Sequence, residues 1–378
     1  MLRPRRGCAG RACDAPLTGP HLPTLKRGTP PSGVTVKTKL GLVGYGRFGK
    51  MHVRALSGSS DAELTAVCAG SEKSLREAQG ETGVPAFTDY AEFLRRGDTD
   101  AVVIVTPNHT HARLAVEALA QGKDVYLEKP IATSLADAKR VVEAQGRSQR
   151  VVQIGFENRY SSFWKAAKSA LVRGDIGDPA YGKVESWRFP MREGSGGWKY
   201  DRGRVGHQLF EEAVHYADLS NWLFGEGHKP ARVSGFLDPA ESPDTGTFRS
   251  ACFVVEFEGG RRFLVSDVLE GFGSDLSLMV AGTGGSINGA VRAESDDSPK
   301  VESYLKMRDR EGRATIQAVH PSGQLSDLKD SLSAFVGAVQ GRSAPGPTVQ
   351  DGFTALAICD AALESARSGS TAPVRSAL

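Results

Sequence analysis

Three groups of residues carry chemistry by type and spacing. The first is Gly44-Tyr45-Gly46-Arg47-Phe48-Gly49, a G-x-G-x-x-G run between an apolar stretch at 40–43 and a helical pattern through Met51 and Leu56. In such a strand–turn–helix setting Gly44 permits the tight turn and Gly46 lets the backbone approach a pyrophosphate. Gly49 allows close helix–strand packing, while the helix N-terminus offers free N–H donors to phosphates. Outside that setting the run is an ordinary glycine turn. The second group is Glu211 and His215, four apart and therefore on one face of a helix. His207 extends that row to i, i+4, i+8, a spacing that also suits metal ligands and would make the chain a metal-dependent lyase or isomerase. The row matches no specific metal signature, and no metal site is expected. His109 and His111 admit the same two readings. The third group is Glu128-Lys129-Pro130, directly after an apolar run.

These groups need a scaffold, and the pattern from 38 to 156 supplies one. Strand-like runs at 40–43, 64–68, 101–105, 124–127 and 151–155 alternate with helical stretches through 56 and at 74–82, 111–121 and 134–145. The third strand is almost wholly apolar, as expected for one buried on both faces. Repeats of this length imply a parallel sheet with right-handed crossovers, a doubly wound α/β (Rossmann) domain. An acid about 20 residues past the glycines would hold an NAD ribose, but Ala69 stands at that place. Ser71, Lys73, Arg76 and Arg47 are positioned to meet a 2′-phosphate, so NADP(H) is preferred, with NAD(H) possible because Glu72 can reach back to a ribose. The bland alternative is that Lys73 and Arg76 solvate an exposed helix.

The ordered set Thr106-Pro107-Asn108-His109-Thr110-His111, Glu128-Lys129-Pro130, Gly155-Phe156-Glu157-Asn158-Arg159-Tyr160, Glu211-x-x-x-His215, Asp218 and Trp222-Leu223-Phe224-Gly225 resembles the glucose–fructose oxidoreductase / inositol 2-dehydrogenase family of NAD(P)-dependent enzymes. The resemblance covers nearly everything from residue 38 to the C-terminus. It implies that Lys129 lies near the nicotinamide, stabilising an alkoxide or protonating a carbonyl oxygen, with Glu128 holding it. It implies that His215 hydrogen-bonds the reacting oxygen and that Glu211 orients the imidazole or the substrate. The family usually has aspartate where this chain has Glu211, and often glycine where it has Ala213, so Glu212 is an alternative carboxylate. Thr106, Pro107, Asn108 and His111 would lie near the nicotinamide ribose, although His111 also reads as a helix-start residue. The implied reaction is hydride transfer to or from a sugar, cyclitol or amino-sugar carbon. An NADP(H) preference favours ketone reduction in a biosynthetic pathway; oxidation of an inositol or sugar, and redox-neutral glycoside cleavage, are the alternatives. A non-catalytic dinucleotide sensor is disfavoured by the retained Lys129 and His215.

The second half, 157–378, is expected to be an α+β domain for substrate binding and oligomerisation. A helix at 160–172 precedes strands at 181–189, 232–236, 250–257, 261–268 and 276–281, separated by turns at 258–260 and 282–286. Helices at 325–339 and 352–366 finish the chain. An open, mainly antiparallel sheet buries its bare face against a partner, giving a homodimer or homotetramer. The loop 188–204 carries Trp198 and Tyr200 among several cations. With Arg159 and Glu212 they are the candidate substrate contacts, through aromatic faces on sugar C–H groups and hydrogen bonds to ring hydroxyls.

Composition bounds the remaining classes. The chain is 40% hydrophobic and 24% charged, values of an ordinary globular protein. Its formal charge of +3 divides unevenly: residues 1–37 carry +6 and the rest −3. The basic pI therefore belongs to a Pro- and Gly-rich tail that reads as unstructured, and nucleic-acid binding is not expected. Arg5-Arg6 is followed by no apolar segment, so an export signal is rejected. No apolar run reaches the ~20 residues of a membrane span. Five scattered cysteines without a C-x-x-C pair fit reduced thiols in the cytoplasm.

Overall fold

The computed structural model describes residues 36–188, 195–237, 250–269, 271, 273–293, 301–319 and 323–377. The basic tail expected to be unstructured lies outside them, apart from its last two residues. The chain opens with β1 (Thr38–Val43), α1 (Arg47–Leu56), β2 (Ala62–Cys68), α2 (Glu72–Thr82), β3 (Ala86–Phe87), α3 (Tyr90–Arg96), β4 (Ala101–Ile104), α4 (His111–Ala120), β5 (Asp124–Glu128), α5 (Leu135–Ser148) and β6 (Val152–Gly155). The six strands form one parallel sheet in the order β3-β2-β1-β4-β5-β6. Strand β4 is buried at every residue because helices cover both faces. After β1 the chain builds outward to β2 and β3, then returns to the other side of β1 as β4. The order reverses there, and a crevice opens beyond the carboxyl ends of β1 and β4.

The chain continues through α6 (Ser162–Val172), β7 (Pro179–Trp187), α7 (Arg202–Val205), α8 (Val214–Phe224), β8 (Pro230–Leu237), β9 (Ser250–Phe257), β10 (Arg262–Val268), β11 (Ser274–Gly282), β12 (Gly285–Ala293), β13 (Val301–Asp309), β14 (Ala314–Ala318), α9 (Gln324–Val339), α10 (Val349–Ser368) and β15 (Ala372–Pro373). Nine strands make the second sheet, β14-β13-β12-β11-β7-β10-β9-β8-β15, antiparallel except where β7 meets β10. Val184, Phe253, Val255, Phe263, Val265, Leu278, Val280 and Ile287 bury its inner face. Helices α6, α8 and α10 pack on the sheet. On its other face Tyr181, Trp187, Met279, Tyr304 and Ile316 are exposed. Among the described residues no helix is long and apolar enough to cross a membrane.

Helix α9 belongs to the second half by sequence, yet Leu328, Leu332 and Phe335 join Leu40, Leu42, Val103 and Tyr126 in one buried cluster. The last third of the chain thus covers the first sheet as well as the second. The expected turn at 282–286 joins β11 to β12; β12 itself was not expected, because Asn288 and Gly289 interrupt the alternation that would mark a strand. Strand β14 is exposed throughout, so its short alternation of Ala314, Ile316 and Ala318 faces no core.

Candidate functional site

The glycine turn is built for a phosphate. Gly44 has φ +102, and a Cβ there would strike the Val105 carbonyl as the chain enters the crevice between β1 and β4. Helices α2, α3 and α5 are capped by Ser71, Asp89 and Ser134, whereas α1 opens on Gly46 with no side-chain cap and no acid in its first turn. Its orphan N–H groups therefore remain available to an anion. That cradle fits a dinucleotide, with Gly44, Gly46 and the first turn of α1 at its pyrophosphate.

A charged cluster lies at the neighbouring strand end. Lys129 follows β5, and its Nζ donates to the Glu211 carbonyl oxygen at 2.7 Å and lies 3.3 Å from Glu211 Oε1. Glu211 sits on a π-helical turn, Leu209–Ala213, that runs into α8; such turns recur at functional sites. Its carboxylate also meets Lys199 Nζ at 2.6 Å and accepts from Asn108 Nδ2 at 3.0 Å. Burial alone would raise the Glu211 pKa, but the Lys129 and Lys199 ammoniums override it and hold the carboxyl at about 2. Lys129 is pushed down by burial and more strongly up by Glu211, Glu212, Glu157 and Glu128, so it stays an ammonium. His215 is 8% exposed, and burial drops it to about 4, leaving a neutral imidazole at pH 7. Its Nδ1 has no hydrogen-bond partner among the described residues. The Lys129 ammonium can donate to a reacting oxygen, and the neutral His215 imidazole, on which the Lys129 charge acts, can donate or accept.

Comparison with known proteins gives the family. An oxidoreductase family model with an NAD-binding Rossmann fold, the GFO/IDH/MocA family, matches residues 38–156, and the model of that family's C-terminal α/β domain matches residues 168–375. The chain belongs to this oxidoreductase family. It is 29% identical over 353 residues to an inositol 2-dehydrogenase of Salmonella typhimurium, covering 88% of this chain and 95% of that one. An inositol 2-dehydrogenase of Rhizobium meliloti is 27% identical over 333 residues, 86% of this chain and 96% of the relative. The solved myo-inositol 2-dehydrogenase of Lactobacillus plantarum superposes with a TM-score of 0.73 at 25% identity, covering 90% of this chain and all of that one.

Within this oxidoreductase several expected site residues are engaged elsewhere. Glu128 does not hold the Lys129 ammonium. Its carboxylate faces His52 Nε2 at 3.0 Å and accepts from the Lys129 backbone N–H at 3.2 Å. The room for it comes from Gly155, where a Cβ would sit 2.7 Å from Glu128 Oε1. His111 is buried with its ring nitrogens 2.7 Å and 2.8 Å from the Pro130 and Thr106 carbonyls, joining the two turns with neither nitrogen left for a cofactor. Asn108 turns its amide to Glu211 and Val205. Thr106 pairs its hydroxyl with Thr110, Pro107 leads into that same short turn, Tyr45 donates to Glu81, and Phe48 packs edge-on against His52. Arg47 and Lys73 are exposed at the glycine turn and the start of α2, and the Ser71 hydroxyl accepts from the Ser74 N–H.

On the substrate side Glu212 takes Arg188 at 2.6 Å, and Arg159 is clamped by Asp218 and Asp351. Trp198 lies in a short helical stretch, Ser195–Tyr200, with Lys199 Nζ 6.0 Å from its ring centre; the Tyr200 side chain is outside the described residues. Residues 189–194 of the expected loop are also outside them. The His207–Glu211–His215 row is interrupted by the π-helical turn, and among the described residues no three His, Cys, Asp or Glu side chains are grouped to hold an ion. Lys199, Glu157 and His52 were not singled out from sequence, since their place at this cluster follows from the fold and not from any local spacing.

Behind Glu212, Asp267 on β10 is fully buried, and neither carboxyl oxygen has a hydrogen bond among the described residues. Burial, then repulsion from Glu212, pushes it up to about 7. The folded protein thus holds a proton that the unfolded chain releases near pH 4, so this group destabilises the fold as pH rises from about 4 to about 7. Asp267→Asn is expected to be more stable than wild type at pH 8, by about 1–3 kcal/mol. The advantage should fade as pH falls from 7 toward 4. Urea unfolding at pH 8 and pH 4.5 measures this, and a pH-independent difference would contradict it.

Proposed function

We propose that this oxidoreductase moves a hydride between a nicotinamide and a hydroxyl-bearing or keto carbon of a sugar, cyclitol or amino-sugar derivative, as a ketoreductase in a biosynthetic pathway. The observation that carries the reading is the Lys129 ammonium held by Glu211 at the end of β5, with the buried His215 one helical turn beyond Glu211, in a sheet whose first helix starts uncapped. The dinucleotide, held at Gly44, Gly46 and the start of α1, supplies the hydride carrier. Lys129 is charged and so is prepared to donate a proton to a carbonyl oxygen or to stabilise an alkoxide. Glu211 fixes the ammonium in position, and Asn108 and Lys199 fix Glu211. Neutral His215 supplies a second hydrogen bond to the reacting oxygen. The inositol 2-dehydrogenase relatives favour a second reading, oxidation of a cyclitol alcohol. An absorbance screen at the reduced-nicotinamide band, with inositols, sugars and their ketones and both cofactors, separates the two. Turnover of a glycoside with no net absorbance change would instead identify a redox-neutral hydrolase.

Cofactor choice follows from the end of β2. Ala69 and Gly70 put no carboxylate there to repel a 2′-phosphate, and Lys73 and Arg47 stand exposed nearby. NADP(H) should bind more tightly than NAD(H), and Lys73→Glu should cost NADP(H) about tenfold in affinity with little change for NAD(H). Calorimetric titration of both cofactors reads this directly; tighter NAD(H) binding to the wild type refutes it.

The bare face of the nine-stranded sheet, with Tyr181, Trp187, Met279, Tyr304 and Ile316 exposed, supports a homodimer or homotetramer assembled through that face. A cytoplasmic location is supported by Cys68, Cys252 and Cys359, which are free thiols.

A further inference from the structure

One carboxylate at the candidate site has no partner in the scheme above. Glu157 lies just beyond β6, whose Gly155 is in register with Glu128 at the end of β5, so it rises from the same edge of the sheet as Lys129. It is 7% exposed, and its Oε2 has no hydrogen-bond partner among the described residues. The other acids around Lys129 each have a partner: Glu128 accepts from the Lys129 N–H, Glu211 faces Lys129 and Lys199, and Glu212 faces Arg188. Glu157 is also the charge that acts most strongly on His215, and it adds to those acting on Lys129. The Phe156 ring beside it lies 6.3 Å from the His215 ring. A buried acceptor without a donor costs stability, and a ligand that supplies the donor is one reason to keep it.

We propose that Glu157 is a specificity-determining residue whose carboxylate accepts a hydrogen bond from a hydroxyl or ammonium substituent on the same ring that presents its reacting carbon to Lys129 and His215. The inference rests on the proposed reaction for its substrate class. It adds a recognition site on a second carbon of that ring. A carboxylate acceptor selects polyhydroxylated or amino-bearing rings over deoxygenated ones, because loss of the ligand's donor leaves a buried charge unpaired.

The test uses the full-length protein with NADP(H), myo-inositol, the mono-deoxy-inositols and an amino-deoxy-inositol. Affinity is read by calorimetry and turnover by nicotinamide absorbance. Glu157→Met should lose about 10- to 100-fold in affinity and kcat/KM for myo-inositol. For the one deoxy analogue that lacks the bonded hydroxyl, wild type and variant should be equal. Glu157→Gln keeps an acceptor of the same shape. It should therefore bind hydroxyl ligands nearly as wild type and lose the amino ligand, which identifies the donor, and it carries the test if the Met variant fails to fold. Equal losses on every analogue mean a merely structural role and overturn the proposal, as does no loss on any. Ligand binding in the predicted pattern without hydride transfer would sink the reaction and leave Glu157 as the reader of the ring. A wild type that binds no member of the panel overturns both.

Discussion

Lys129→Met is expected to lower turnover by about a thousandfold or more while leaving NADP(H) affinity within about threefold. General acid–base groups contribute about 10²–10⁴ and a preorganised charge at a developing oxyanion about 10²–10³, and Lys129 supplies both functions from one atom. The side chain reaches the crevice with 12% of its surface exposed, and its ammonium is fixed by the Glu211 carbonyl and carboxylate. Methionine preserves the stem and removes the charge. The variant also leaves Glu211 with Lys199 as a counter-ion at 2.6 Å, so the buried carboxylate is not stranded and the fold should survive. The glycine turn and the uncapped start of α1 are untouched, which is why cofactor binding should persist. Retained turnover would remove the lysine from the mechanism. Loss of cofactor binding together with turnover would show that Lys129 serves the dinucleotide and not the reacting oxygen.

What the sequence could disclose was local. The apolar run of β4, the glycines at the mouth of α1 and the lysine after β5 are each readable within a dozen residues, because strand burial, turn geometry and helix entry are short-range effects. The contacts that define the cluster are not short-range. Lys129 reaches Glu211 across 82 positions, and Asn108 reaches it across 103. No periodicity links such positions; the doubly wound sheet does, by bringing the ends of β4, β5 and β6 to one edge. For the same reason Glu128 could be assigned to its neighbour Lys129 on proximity alone. Its actual partner, His52, sits on the inward face of α1 with Gly49 and Ala55, where a buried polar residue reads as part of an apolar stripe. The π-helical turn was likewise illegible, since spacing counts assume a constant period and this turn changes it.

Arg159→Met is expected to destabilise the folded protein by about 3–5 kcal/mol, the range for removing one member of a buried ion pair. Arg159 donates to Asp218 through two nitrogens, at 2.8 Å and 2.5 Å, and to Asp351 at 3.0 Å. Asp351 in turn accepts from the Thr348 N–H and closes the capping box that starts α10. One guanidinium therefore ties the turn after β6 to α8 and α10, and its Cζ lies 5.6 Å from the Trp222 ring centre. Asp218 is 1% exposed, and burial already lifts it to about 6 in spite of the arginine. Without the arginine its folded pKa rises further above the unfolded value near 3.9, so the folded variant retains a proton that the unfolded chain gives up, and its stability falls as pH rises. The deficit against wild type should consequently be larger at pH 8 than at pH 4.5. Adding Asp218→Asn should restore part of the loss, because the amide removes the stranded charge. Urea titrations of wild type and of the single and double variants at both pH values resolve these terms. The result also decides the role first expected for Arg159: a variant as stable as wild type that fails only to bind the ring would make this arginine a substrate contact, whereas an unstable variant with unchanged ligand affinity at low temperature makes it the clasp that holds α8, and hence His215, against the strand ends.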